Sequence, residues 1–258
     1  MSNLQTNIEN YLKYCEEQKR LDYKTLKAYR IDLSQFCQDI STPNVTDITS
    51  TMLENYISKL HRKYKPKTVK RKIASMKALF HYFEYREIID LNPFNKILIK
   101  FREPTNLPKI IPLNTVEEML STIYKKKAVA KTTYQKRNAL RDAATIELLF
   151  ATGMRISELC SLQVDDVNLE DGTILISGKG SKERRLQIGN IEVLNILKEY
   201  RLDFSKEIAN CGHFFANQSG HPLSDQTVRR IINKYTSLAS ISQHITPHMF
   251  RHTFATAF

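Results

Sequence analysis

No glycine occurs in the first 152 of the 258 residues; all seven lie between Gly153 and Gly220. A stretch that long without left-handed corners reads as long helices joined by Asn, Pro and polar connections. The four cysteines, Cys15, Cys37, Cys160 and Cys211, are far apart and show no CxxC spacing. They therefore indicate neither a zinc motif nor a dithiol, and the reduced thiols of a cytosol are the plain expectation. No apolar run approaches membrane-spanning length, and Met1 to Gln18 carries charges where a secretory leader needs an apolar segment. A soluble, cytoplasmic protein is expected.

Acidic residues are missing from positions 59–77, where Lys59, Arg62, Lys63, Lys65, Lys67, Lys70, Arg71, Lys72 and Lys77 follow one another. Such a run is usually a solvated face. Here Thr68 starts a helix whose apolar stripe is Val69, Ile73, Met76, Phe80 and Phe83, with the cations beside the stripe and more in the neighbouring loop. Lys65, Lys67, Lys70, Arg71, Lys72 and Lys77 are accordingly the candidate contacts to a nucleic-acid backbone, and the net charge of +12 fits a polyanionic partner. A second cationic patch, Lys125, Lys126, Lys127, Lys131, Lys136 and Arg137, is expected in a loop between helices at 113–124 and 138–151. Nucleic-acid contact and plain solvation explain that patch equally well.

Prolines 93, 104, 108 and 112 divide the chain. Residues 1–98 read as a compact helical unit with helices near 4–19, 22–38, 49–63 and 67–86; residues 99–111 read as a linker and 112–258 as a second domain. Both sides are cationic, with a net +7 over residues 1–104 and +5 over 105–258. Two basic modules on a short tether suit a clamp on a duplex, each raising the effective concentration of the other.

The second domain carries three blocks with chemical content. Arg155 lies in Ala151-Thr152-Gly153-Met154-Arg155-Ile156-Ser157-Glu158-Leu159, after an apolar helical run that Gly153 ends as a left-handed stop. Lys179 lies in Gly178-Lys179-Gly180-Ser181-Lys182-Glu183-Arg184, between β-type runs Thr173 to Ser177 and Arg184 to Ile188, hence at a hairpin tip. It lacks P-loop spacing and context. His248 and Arg251 follow Thr246, a good N-cap, and Pro247, a good first helical residue, and their spacing of three puts them on one helical face. Two guanidiniums match phosphate oxygens and keep their charge, a lysine can protonate a departing 5′-oxygen, and a histidine can share a nucleophile's proton. No metal-ligand cluster is visible and none is required where arginines neutralise the phosphate, so no cofactor is expected. Glu158 either orients Arg155 from behind or is an ordinary exposed helical glutamate. His252 points about 100° around the helix from Arg251, favouring a structural or phosphate-backbone role. Phe214 and Phe215 read as core.

In this order and at these intervals, the blocks ATGMRISEL, GKGSKER and HMFRHTFAT resemble the catalytic domain of tyrosine recombinases, the phage-integrase and Xer-like family of site-specific DNA recombinases. Thr25-Leu26-Lys27-Ala28-Tyr29 with the following Arg-Ile-Asp-Leu, Lys67-Thr68-Val69-Lys70-Arg71, and Asn92-Pro93-Phe94 are similar to its core-binding domain. The resemblance implies a mainly α fold with a small antiparallel β-sheet, a helical, SAM-like core-binding domain and a C-terminal catalytic domain. It implies Arg155 as the first catalytic arginine, Lys179 as the hairpin lysine, and His248 with Arg251 as the HxxR pair; position within the matched block favours Lys179 over Lys182 and Arg184 as the acid. The reaction implied is attack of a tyrosine on a scissile phosphate, storage of the bond as a 3′-phosphotyrosyl link, and reversal by a 5′-hydroxyl, by protomers that act as tetramers on two DNA sites.

Family members continue past HxxR to a nucleophilic tyrosine, whereas Tyr235, the last of twelve, precedes His248 and matches no nucleophile context. The expectation is a polypeptide that binds double-stranded DNA and activates a phosphate without cutting it, self-associating weakly or remaining monomeric. A non-catalytic protein occupying recombination sites, and a general nucleic-acid or RNA binder with an accidental match, stand as alternatives.

Overall fold

The computed structural model describes residues 3–40, 42–99, 109–177 and 183–257, in two compact units, Met1–Thr105 and Asn106–Phe258. The fold is mainly α with one small antiparallel sheet, as expected. Residues 100–108 of the expected linker lie outside the described residues.

The first unit is built from α1 (Leu4–Glu17), α2 (Tyr23–Asp39), α3 (Ser50–Lys63) and α4 (Pro66–Tyr85). Side chains set three of the starts. The Asn3 carboxamide oxygen accepts from Gln5 N at 2.8 Å, Asp22 from Thr25 N at 3.0 Å, and the Thr49 hydroxyl from Met52 N at 3.3 Å; such caps contribute about 1 kcal/mol each. Helix α4 starts two residues before Thr68, because Pro66 takes the first helical position, where its missing N–H costs nothing. Its stripe of Val69, Ile73, Met76, Phe80 and Phe83 is buried. Phe80 meets Phe36 and Phe94 edge-on, with ring centroids 6.1 and 5.4 Å apart.

One expected surface cation lies inside this unit. Lys72 is 3% exposed, its ammonium donating to Asp32 at 3.1 Å and to Gln35, 5.0 Å from the Tyr64 ring centre. Its expected role in backbone contact is corrected accordingly: the apolar stripe of α4 carries Lys72 inward, where only a paired ammonium is tolerable. Arg71 also bonds to Asp32 but keeps its side chain 44% exposed.

The second unit contains α5 (Leu113–Ala128), α6 (Thr133–Thr152) and α7 (Ile156–Ser161), then strands β1 (Val167–Asn168), β2 (Thr173–Ser177) and β3 (Glu183–Gln187), and finally α8 (Ile191–Asp203), α9 (Ser205–Cys211), α10 (Asp225–Leu238) and α11 (Pro247–Ala257). The strands pair antiparallel in the order β1-β2-β3, with Ile176 opposite Arg184. Helix α6 is central: Ala143, Ala144, Ile146, Leu148 and Leu149 are buried, and α5, α8 and α11 pack around it. Tyr200 and Phe204, at the C-terminal end of α8, form an aromatic cluster with Phe214 and Phe215.

The second cationic patch is not a loop. Lys125, Lys126 and Lys127 form the last turn of α5, where cations suit the helix dipole, and Lys136 and Arg137 belong to the start of α6, capped by Thr132. Only Lys131 lies between the helices. The polar, non-periodic first turns of α6 hid its true start. Arg137 is engaged internally, bonding Glu207 at 2.9 and 2.8 Å and Asp203 at 3.2 Å. Asp142, 1% exposed, accepts from Arg141 at 2.6 Å, Lys234 at 2.9 Å and the Tyr235 hydroxyl at 3.1 Å, pinning α6 to α10. Among the described residues no helix is long and apolar enough to cross a membrane.

Removing Asp32 strands a buried ammonium, so Asp32→Ala is expected to cost about 3–5 kcal/mol in urea unfolding. Adding Lys72→Met should recover most of that loss. Equal stability of the single and double variants would show that the pair does not hold α2 to α4.

Candidate functional site

Gly153 ends α6 with φ +56°, and a Cβ there would stand 2.8 Å from Cβ, Cγ and Cδ1 of Phe254. The residue is needed both for the left-handed turn and for the approach of α11. The turn delivers Arg155 to the N-cap of α7, with 51% of its side chain exposed. Arg155 N donates to Glu158 Oε2 at 2.7 Å and Arg155 Nη1 to Glu158 Oε1 at 2.9 Å. From α11, Arg251 Nη1 donates to the Gly153 carbonyl at 3.0 Å. Both arginines are thus attached to one three-residue corner.

Glu158 is 7% exposed, so the exposed-glutamate reading does not describe it. The same carboxylate takes a two-pronged bond from Arg184 of β3, at 3.1 and 2.8 Å. Burial pushes its pKa up, but the bonds from Arg184 and Arg155 outweigh burial and hold the group below its ordinary value. In the sequence Arg184 stands only as a rival acid; its place as the second partner of Glu158 depends on strand register, which no local motif reveals.

His248 is exposed on α11, three residues before Arg251, and opens onto a cleft of about 490 Å³ shared with Lys109, His244 and His252. Lys179 lies outside the described residues, as does the rest of its turn, 178–182. The structure therefore joins Arg155, Arg251, Glu158 and Arg184 at one corner, with His248 one helical turn away. In the first unit, Lys65, Lys67, Lys70, Arg71 and Lys77 are exposed from the N-cap of α4 to just past its midpoint.

The tyrosines of this unit lie elsewhere. Tyr200 and Tyr235 are buried, and burial pushes both phenols well above their ordinary value, helped at Tyr235 by the Asp142 charge. Tyr124 is shifted the same way by burial and by its 2.8 Å bond to Glu147. Tyr134 is exposed, but it lies in the first turn of α6, about 28 Å of helix from the Gly153 corner. Among the described residues no group of three or more His, Cys, Asp or Glu side chains is arranged to hold a metal ion.

An arginine corner beside a small antiparallel sheet and an HxxR helix defines the class of domain, and comparison with known proteins identifies it. The phage integrase family matches residues 114–258, and the phage integrase N-terminal SAM-like domain matches residues 8–87. The chain belongs to the phage integrase family. A tyrosine recombinase of Agathobacter rectalis is 68% identical over 257 residues, covering 100% of this chain and 84% of the relative. Tyrosine recombinase XerD of Staphylococcus saprophyticus is 32% identical, covering 98% and 84%. A crystal structure of XerH site-specific recombinase bound to a palindromic difH substrate, a post-cleavage complex, aligns with TM-score 0.72 at 25% identity over 95% of this chain and 71% of that one. A lambda integrase (75-356) dimer bound to a COC′ core site shares the fold, with TM-score 0.73 at 20% identity over 98% and 89%.

Because the fold favours ionised Glu158, its ion pairs stabilise above the ordinary carboxyl value of 4.5 and fade as pH falls through the lower folded value. Urea unfolding from pH 7 downward should show this acid loss in the wild type. Glu158→Gln should flatten it and lower stability at neutral pH by about 2–3 kcal/mol. Superimposable pH profiles would mean that the carboxylate is not the tie between Arg155 and Arg184.

Proposed function

We propose that this chain acts in site-specific DNA recombination or integration, binding duplex DNA and holding one phosphodiester in the geometry for transesterification. The observation that carries this reading is the attachment of Arg155 and Arg251 to a single backbone corner, one by Glu158 and the other by the Gly153 carbonyl. Two guanidiniums on the non-bridging oxygens neutralise the charge that develops in the transition state, which is most of what phosphoryl transfer asks of a protein. His248 shares the nucleophile's proton and Lys179 protonates the departing 5′-oxygen. A tyrosine hydroxyl attacks the phosphorus, forming a 3′-phosphotyrosyl bond as the P–O5′ bond breaks, and a 5′-hydroxyl later reverses the exchange. The buried phenols of Tyr200 and Tyr235, the Tyr124 hydroxyl bonded to Glu147 and the remote Tyr134 do not suit that attack, so the hydroxyl is assigned to a tyrosine other than these.

Residues 1–98 serve as the core-binding domain, with Lys65, Lys67, Lys70, Arg71 and Lys77 on the DNA backbone, and residues 112–258 as the catalytic domain across the 99–111 linker. Their net charges of +7 for residues 1–104 and +5 for 105–258 support a clamp on duplex DNA. Solved relatives include a DNA-bound dimer and a tetramer on a Holliday junction, so assembly of copies is assigned to the DNA-bound state.

A duplex selected from a random pool provides the test. Wild-type affinity should exceed that for mixed-sequence duplex by roughly 10³-fold, and Arg155→Ala and Arg251→Ala should each reduce the steepness of the log-affinity against log-salt plot by about one unit. Equal affinity for selected and mixed duplexes, with unchanged slopes in both variants, would sink the proposal.

A further inference from the structure

Beside His248, the cleft along α11 carries further groups that the reaction described above does not use. Among the described residues its polar lining includes Lys109, Gln243, His244, Thr246, His248 and His252, and no carboxylate. Every nitrogen-bearing side chain there has an N–H to offer, since an imidazole keeps one donor even when neutral and a lysine offers three. A concavity with several donors and no acidic group is complementary to an anion.

Lys109 is held at this cleft by its neighbours. The Ile110 carbonyl accepts from Gln243 Nε2 at 3.1 Å, and Ile111 N donates to the Thr253 hydroxyl at 2.8 Å. Ile111 and Thr253 are 2% and 3% exposed, and the Thr253 hydroxyl in turn donates to the Met249 carbonyl at 2.8 Å. One hydrogen bond to α11 and one to the loop before it thus fasten this segment, and Lys109 is its first described residue. A lone lysine beside a proline attracts no notice in the sequence; the fold sets it among three histidines.

We infer that Lys109, His244 and His252, together with the exposed face of His248, form a second phosphate site that takes a backbone phosphate of the DNA strand next to the one held by Arg155 and Arg251. The inference rests on the phosphate-holding role proposed above for that corner. Arg251 follows His248 by three residues, a rise of about 4.5 Å along the helix. One nucleotide advances a strand by about 3.4 Å of duplex axis, so the cleft and the corner are separated on the scale of one or two nucleotides. The second site fixes the strand's register on α11, which a single point of attachment cannot do.

The test uses a labelled mixed-sequence duplex of about 30 base pairs titrated between roughly 50 and 200 mM salt. Lys109→Ala should flatten the log–log slope by about one unit and weaken binding roughly tenfold at the lower salt, while Lys109→Arg should keep the wild-type slope. The anchoring bonds belong to residues 110 and 111, so the thermal midpoint of Lys109→Ala should match wild type. His244→Gln with His252→Gln should weaken binding a few-fold, read against the unchanged thermal midpoint. A wild-type slope and affinity in Lys109→Ala would overturn the second site while leaving the corner intact, provided Arg155→Ala and Arg251→Ala still flatten theirs. If the arginine variants also bind like wild type, the reading of the corner fails as well. Inorganic phosphate, followed through the ring signals of His244 and His252, separates a free anion from a strand phosphate. Lys109-dependent phosphate shifts with an unchanged duplex slope would assign the cleft to a free anion and overturn the proposal.

Discussion

One buried carboxylate orients the arginine corner. Helix α7 has six residues, too few to hold its own axis without outside contacts. Glu158 supplies those contacts in three directions: to the Arg155 backbone, to the Arg155 guanidinium and to Arg184 across the strand. Two guanidiniums on one carboxylate leave a net positive charge at the surface, with the carboxylate shielded beneath. The orientation of the Arg155 guanidinium is therefore set by the fold itself, which is the preorganisation that the proposed phosphate-holding role requires.

The same arrangement recurs away from the corner. Asp32 receives Lys72 and Arg71 between α2 and α4, and Asp142 receives Arg141 and Lys234 between α6 and α10. In each case a carboxylate almost wholly out of water is paired with two cations, joined at Asp142 by the Tyr235 hydroxyl, the condition under which a buried charge is tolerable. A chain with net charge +12 thus uses part of its cationic excess to tie helices together and leaves the rest outside. Charge counted along a sequence overstates what faces a polyanion, because the count cannot tell Lys72 from Lys70.

What the sequence made legible was local. Gly153 as a left-handed stop, Pro247 at a helix start, the alternating strand before the hairpin and the α4 stripe all depend on neighbours within a few positions, and all are found in the fold. The true extent of α6 was not legible, since its first turns carry Tyr, Gln, Lys and Arg with no apolar period. Nor were the distant partners of Glu158, Asp142 and Asp32, which are drawn from 26 to 93 residues away by packing. The two arginines were recognisable from their blocks; that Arg251 reaches the backbone of the Gly153 turn is a product of Phe254 pressing against a residue with no side chain.

Helix α11 joins these levels. Its inner face, Met249, Phe250 and Thr253, is buried, and Phe254 closes on the corner, so the helix is positioned by packing along its length. Its outer face carries His248, Arg251 and His252 within little more than one turn. Groups on one short helix keep their spacing to within side-chain motion, because the hydrogen-bonded backbone does not stretch. The corner contact through Arg251 and the cleft beside His248 are consequently parts of one rigid ruler. A shift of α11 that loosened the Gly153 carbonyl bond would move the histidines with it, so the geometry of the corner and that of the cleft are set together.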